Sequence, residues 1–201
     1  MSDLPTSIDI HEEGPREGFQ IEPGPISSAD KIRLIEALAE TGLRHIQVCS
    51  FVSARVVPSW ADAEEVVAQF RPRTGVTYSS LWFNDKGLER ALAFRDKLTL
   101  SGAISLTASE AFTRKNLHRS HAENLEAMRK QTRLHVEKGV PVKAVGVMAA
   151  FGCNFQGDIA PAQVVRTIAE GLEIPANAAW KLAACRWPTA WAGRRRRASS
   201  G

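Results

Sequence analysis

The chain has 201 residues, 44% of them hydrophobic, with 26 lysines and arginines against 22 aspartates and glutamates for a net charge of +4. That length suffices for one ordinary domain, and no apolar run reaches the roughly 20 residues of a membrane span. Six of the positive charges, Lys181, Arg186 and the arginines at 194–197, fall in the last 27 residues, and without them the body is slightly acidic. The sequence pI of 9.2 therefore reports a tail, and neither nucleic acid nor membrane is an expected partner of the body.

Residues 1–13 are polar and acidic and lack a signal peptide's apolar core. Cys49, Cys153 and Cys185 make no disulfide framework, which predicts a reducing, cytoplasmic setting.

Strand-like and helix-like segments then alternate, which predicts an α/β fold with parallel strands. A first strand is expected near 8–10. Residues 12–20, Glu-Glu-Gly-Pro-Arg-Glu-Gly-Phe-Gln, read as a strand-end loop in which Gly14 and Gly18 supply sharp turns and Pro15 stiffens the approach. Ser27 or Ser28 caps the helix that follows, with Ile32, Ile35 and Leu38 on one face and Gly42 just past its end. A second strand is expected over 45–51, and a helix over 62–70 that buries Val66, Val67 and Phe70. A third strand follows over 76–83, then a helix over 86–95. The fourth strand is placed at 97–104, with a long loop after it that carries Glu110 to Asn116. A helix over 121–138, a strand over 140–149 and a helix over 161–172, opened by Pro161, complete five βα units.

An arginine beside a carboxylate at a strand end can bind a metal and an anionic carbonyl group together. The carboxylate offers hard oxygen to a divalent cation, and the guanidinium stabilises charge growing on a nearby oxygen. Arg16 and Glu17 form such a pair.

The 12–20 string, with Ser50-Phe51-Val52-Ser53 and Val57-Pro58 downstream, resembles the 3-hydroxy-3-methylglutaryl-CoA lyase family. Ser109-Glu110-Ala111-Phe112-Thr113-Arg114-Lys115-Asn116 and Phe151-Gly152-Cys153-Asn154-Phe155-Gln156-Gly157 extend the match in the family's order, over about residues 8–174. The resemblance implies a (β/α)8 TIM barrel of which about five βα units are present, since a whole barrel takes about 250 residues. It implies a metal-dependent carbon–carbon lyase that cleaves a 3-hydroxyacyl-CoA, such as 3-hydroxy-3-methylglutaryl-CoA, to an acyl-CoA and a keto acid by retro-aldol chemistry. A related branched 3-hydroxyacyl-CoA is an alternative substrate.

Carried over residue by residue, the resemblance makes Arg16 catalytic and substrate-binding, adds Gln20 and Ser50 to the substrate pocket, and makes Glu17 a ligand of a divalent metal, Mg2+ or Mn2+. Glu17 stands where the family usually has aspartate, and Gln47 where it has glutamate, so the two changes compensate. Glu12 is expected to orient Arg16. Asn116 positions the ligand or caps its loop. Cys49 and Cys153 are read as packing residues, and the five histidines as solvated or locally bonded. A homo-oligomer is left open for the full-length parent.

After residue 174 the pattern changes: three tryptophans and the arginine run appear, and neither periodicity persists. Back-translated and read in the neighbouring frame, 187–196 gives Leu-Ala-Asp-Arg-Met-Gly-Trp-Ala-Thr-Pro, which looks like the family's sixth-strand motif. The expectation is a body over 1–174 and an out-of-frame tail over 175–201, with the chain as written truncated, inactive and unstable. Two other readings stand beside this one. Condensing synthases of the isopropylmalate and homocitrate type share the barrel, and a non-catalytic fragment would bind polyanions through its basic tail.

Overall fold

Five segments that read as strands all pair in parallel in the computed structural model, which describes residues 7–176 and 184–186. The chain divides into two units, Met1–Leu100 and Ser101–Gly201. Apart from the helix end at 175–176 and the short strand at 184–186, the tail and its frame lie outside the described residues.

The first unit holds strands β1 (His11–Glu12), β2 (His45–Ser50) and β3 (Thr77–Leu81) in the order β1-β2-β3, with His11 beside His45 and His45 beside Thr77. The first strand was expected at 8–10. Ile8 and Ile10 are instead exposed, and pairing begins only where β2 offers a partner.

The expected loop over 12–20 is a helix, α1 (Gly14–Ile21). Gly14 and Gly18 lie inside it without positive φ, so they do not act as turn residues. Pro15 occupies the first turn, where its missing N–H costs nothing, and Glu17 faces the positive end of the helix dipole.

Helix α2 (Ser28–Glu40) starts as expected, with Ser27 Oγ accepting the Asp30 N–H at 3.1 Å. Gly42, at φ 90°, follows its end. Its buried stripe is Lys31, Ile35 and Ala39, four residues apart on one face. A single 3₁₀ turn at Pro58–Trp60 precedes α3 (Ala63–Gln69), and α4 (Asp85–Leu92) follows β3. Val66, Val67 and Phe70 are buried as the periodicity required.

In the second unit β4 (Gly102–Thr107), β5 (Val142–Met148) and β6 (Ala184–Arg186) run in that order. The strand expected over 97–104 lies further on. Leu98 and Leu100 are buried, but the Lys97 and Leu98 N–H groups turn back to the Phe94 carbonyl at 3.0 and 2.8 Å, and the Thr99 N–H reaches the Tyr78 carbonyl of β3 at 2.7 Å. Burial alone produced the strand-like pattern there.

The expected long loop contains α5 (Glu110–Leu117). Ser109 Oγ accepts the Phe112 N–H at 3.1 Å at its start, and His118, in the left-handed region at φ 52°, ends it. Helices α6 (His121–Glu137) and α7 (Pro161–Ala176) cover the sheet. A core of Ile104, Leu106, Val142, Val145 and Ile174 forms beneath them, with Leu125 and Met128 against it. Among the described residues no helix is long and apolar enough to cross a membrane.

Candidate active site

Arg16 gathers the first unit's chemistry. Its side chain is 12% exposed, and each part of the guanidinium has an acceptor. Nε donates to Gln47 Oε1 on β2 at 2.5 Å, Nη2 to Glu13 Oε2 at 2.9 Å, and Nη1 to Glu17. A cation taken this far out of water is tolerable only with such partners. The two carboxylates, about half exposed, balance the charge, while the neutral Gln47 amide fixes direction. A guanidinium offers about five N–H groups, so some remain for an oxygen outside this network.

The helix changes which residue orients the arginine. Glu12, expected in that role, accepts the Gly14 N–H instead. Glu13, three residues before Arg16, takes its place, because α1 sets positions 13 and 16 on one face. Its signal was present in the sequence, since Pro15 marks a first helical turn. Trp60, whose Nε1–H donates to the Arg16 carbonyl at 3.1 Å, carried no sequence signal for this contact.

Gln20, half-buried, lies one helical turn beyond Arg16 on α1. Ser50 ends β2, the strand that also carries Gln47. It is fully buried, and its Oγ accepts the Val52 N–H at 3.4 Å. The turn after it is held from α4: Arg90 Nη1 donates to the carbonyls of Phe51 and Val52 at 3.1 and 3.4 Å while its Nε and Nη2 grip Glu64. The Arg90 bond holds the Glu64 carboxyl below the usual carboxylate range. Cys49 is buried beside this network. Burial, reinforced by the Glu64 charge, pushes its thiol far above the ordinary range, so it is a packing residue and not a nucleophile.

Could this donor set hold a divalent cation? Hard oxygen is present at Glu17 and at the Gln47 amide, but Glu17 is engaged by Arg16 and Gln47 by the same guanidinium. Among the described residues no cluster of three His, Cys, Asp or Glu side chains could share a metal. These residues by themselves do not fit a catalytic cation, which needs several protein ligands.

In the second unit two motif blocks meet. Ser109 Oγ lies 3.1 Å from Cys153 Sγ and 2.9 Å from Gln156 Oε1, joining the end of β4 to the loop after β5. That loop closes on itself through Cys153 N–H to the Gly157 carbonyl at 2.8 Å and the return bond at 2.7 Å. Partial burial pushes the Cys153 thiol up, but the Ser109 hydroxyl and the N–H groups of Phe155 and Gln156 outweigh it, so it lies below the usual thiol range. Asn116 Nδ2 donates to the Phe112 carbonyl at 3.1 Å, a bond within its own helix.

Four of the five histidines are locally bonded or stacked, and His118 is exposed. His11 stacks on His45 at 4.2 Å, His121 Nε2 pairs with Glu170 at 2.7 Å, and buried His135 Nδ1 meets the Gln131 carbonyl at 2.6 Å.

No protein-family profile matches the chain. Among curated proteins it is 40% identical over 161 residues to a 3-hydroxy-3-isohexenylglutaryl-CoA/hydroxymethylglutaryl-CoA lyase of Pseudomonas aeruginosa, covering 80% of this chain and 52% of that protein. A Bacillus subtilis hydroxymethylglutaryl-CoA lyase is 35% identical over 162 residues, 81% of this chain and 53% of its own length. The crystal structure of the hydroxymethylglutaryl-CoA lyase from Pseudomonas aeruginosa superposes with a TM-score of 0.77 at 38% identity, covering 86% of this chain and 56% of that one. One from Acinetobacter baumannii, in complex with coenzyme A and 3-methylmalate, gives 0.69 at 28% identity over 83% and 53%. The chain thus spans about half the length of the relatives it matches, and its α/β fold with parallel strands is part of a (β/α)8 barrel.

Proposed function

We propose, from the premise that the chain is a homologue of the hydroxymethylglutaryl-CoA lyases over about half their length, that it contributes the Arg16 half of an acyl-CoA lyase site. The observation that carries this reading is Arg16 itself: a largely buried guanidinium held in one orientation beside β2 by Gln47, Glu13 and Glu17. The substrate is a 3-hydroxyacyl-CoA, with 3-hydroxy-3-methylglutaryl-CoA or a related branched 3-hydroxyacyl-CoA as the candidates.

In the retro-aldol step the 3-hydroxyl gives up its proton and the bond between the second and third carbons breaks. The electron pair of that bond passes to the thioester side, which takes up a proton to become the acyl-CoA, and the keto acid leaves. Arg16 donates its uncommitted N–H groups to the oxygen that turns enolate-like, a stabilisation present only as charge develops. Gln20 and Ser50 are assigned to substrate binding. The family is metal-dependent, and a divalent cation, Mg2+ or Mn2+, supplies Lewis-acid chemistry in the whole enzyme. Glu17 is the residue of this chain assigned to it, and the described donors by themselves do not complete its site. The setting is read as cytoplasmic. The relatives matched are lyases, which gives the condensing synthases no support.

The test is cleavage of 3-hydroxy-3-methylglutaryl-CoA, followed by release of keto acid, for the DNA-verified reading frame that contains these residues. Sequencing across codons 170–201 also decides whether the tail is out of frame. Arg16→Gln is expected to lower kcat by about 10²- to 10³-fold, the cost of one oxyanion donor, with an unchanged far-UV spectrum. Equal cleavage by Arg16→Gln overturns its role.

A further inference from the structure

We propose that Trp60 is the positioning residue for Arg16. Its indole N–H, 3.1 Å from the Arg16 carbonyl, sets the first turn of α1 so that the guanidinium meets Gln47 in one orientation. The role rests on reading Arg16 as the arginine that faces substrate.

Helix α1 cannot hold this turn by itself. It is 8 residues long, and its N-cap Glu13 makes no side-chain capping bond. A helix that short is unstable without tertiary contacts. Trp60 supplies them from 44 residues away. Its side chain is fully buried, and its ring packs on Phe19 of α1 at 5.9 Å.

The corner that carries Trp60 is itself pinned. Lys31, 2% exposed on α2, places its ammonium 4.7 Å over the indole ring. The same ammonium donates to the Ser59 carbonyl at 2.5 Å and to Asp62 Oδ1 at 2.6 Å, one residue before Trp60 and two after it. Asp62 Oδ2 in turn accepts from Ser28 Oγ at 2.7 Å. An indole has a single donor, and in this cage it reaches the backbone of Arg16. A phenyl ring there would fill much of the space and leave the carbonyl unheld. Small displacements of a group that must meet a reacting atom are costly, which is why a remote anchor matters to a site.

The experiment uses the chain labelled with ¹⁵N-arginine and follows side-chain Nε–H exchange by NMR, the signals being assigned through Arg16→Lys and Arg90→Lys. Arg90 is the control, since its Nε–H is bonded to Glu64 within the same unit. In Trp60→Phe the Arg16 Nε–H is expected to exchange roughly three- to tenfold faster, the range one lost hydrogen bond allows, with Arg90 unchanged. An unchanged Arg16 signal overturns the proposal, and so does equal acceleration of both arginines, which would make Trp60 a general support of the unit. If far-UV circular dichroism shows Trp60→Phe unfolded, a temperature series on the unaltered chain decides. The Trp60 indole N–H and the Arg16 Nε–H must then lose protection together and apart from Arg90, and separate loss overturns the proposal. None of these readouts involves substrate, so failure of the lyase assay and failure of this inference are separate results.

Discussion

The two units solve one problem, holding strand-end segments in place, with different chemistry. The first lays cations over aromatic rings and bonds each to nearby carbonyls or carboxylates. Lys31 sits over Trp60, Arg90 at 5.3 Å over Phe51, and Lys97 at 5.3 Å over Phe70. Lys97 also donates to the carbonyls of Val67, Ala68 and Phe70, orphaned at the end of α3. The second unit relies on aliphatic packing around Ile104, Leu106 and Val145, with hydroxyl caps at Ser109 and Ser120. The first unit's candidate arginine thus belongs to a wider habit of partly buried cations, each held by more than one partner.

The sharpest way to break that contrast is Lys31→Ala. It leaves Asp62 without its cation and empties the space above Trp60, so the first unit is expected to lose about 3–5 kcal/mol, the cost of breaking a buried pair. Hydrogen exchange read by mass spectrometry, which resolves the two units, should show the loss confined to 7–100. A loss under about 1 kcal/mol would mean that the clamp is ornamental.

Leu106→Ala is the counterpart in the second unit. Leu106 is fully buried, and the cavity is expected to cost about 2–5 kcal/mol in the second unit's exchange.

The smallest effect is acid sensitivity. Glu64 has its carboxyl lowered from the usual 4.5 by the Arg90 bond. A lowered folded-state value contributes stability above the unfolded value, and that contribution disappears as pH falls through the folded one. The first unit should therefore weaken as pH drops below about 4.5, and Glu64→Gln should remove that part of the slope. Because Glu64 is 43% exposed, the change belongs with surface pairs, under about 1 kcal/mol. An identical slope in Glu64→Gln would assign the acid sensitivity elsewhere.

Much of the fold was legible. The second strand, the helix capped by Ser27 and the helices opening at His121 and Pro161 lie within a few residues of where periodicity put them. The misreadings share a cause. Residues 97–100 bury their leucines without joining a ladder, and Ile8 and Ile10 are apolar yet exposed, because alternation reports side-chain character and not which strand is available to pair. Residues 12–20 and 110–116 read as loops because glycine and polar residues dilute the helical pattern, although Pro15 and Ser109 are start signals.

At the candidate site the sequence singled out Arg16 and Glu17 through the 12–20 string and Gln47 as a departure from the family's glutamate, because strings of neighbouring residues keep their order whatever the fold does. Which groups hold Arg16 was decided by tertiary structure. Gln47 and Trp60 stand 31 and 44 residues away, and strand register and a corner clamped by Lys31 bring them to it. Periodicity records nearest-neighbour preferences along the chain. Contacts across such distances exist only once parallel pairing and packing have closed the intervening loops.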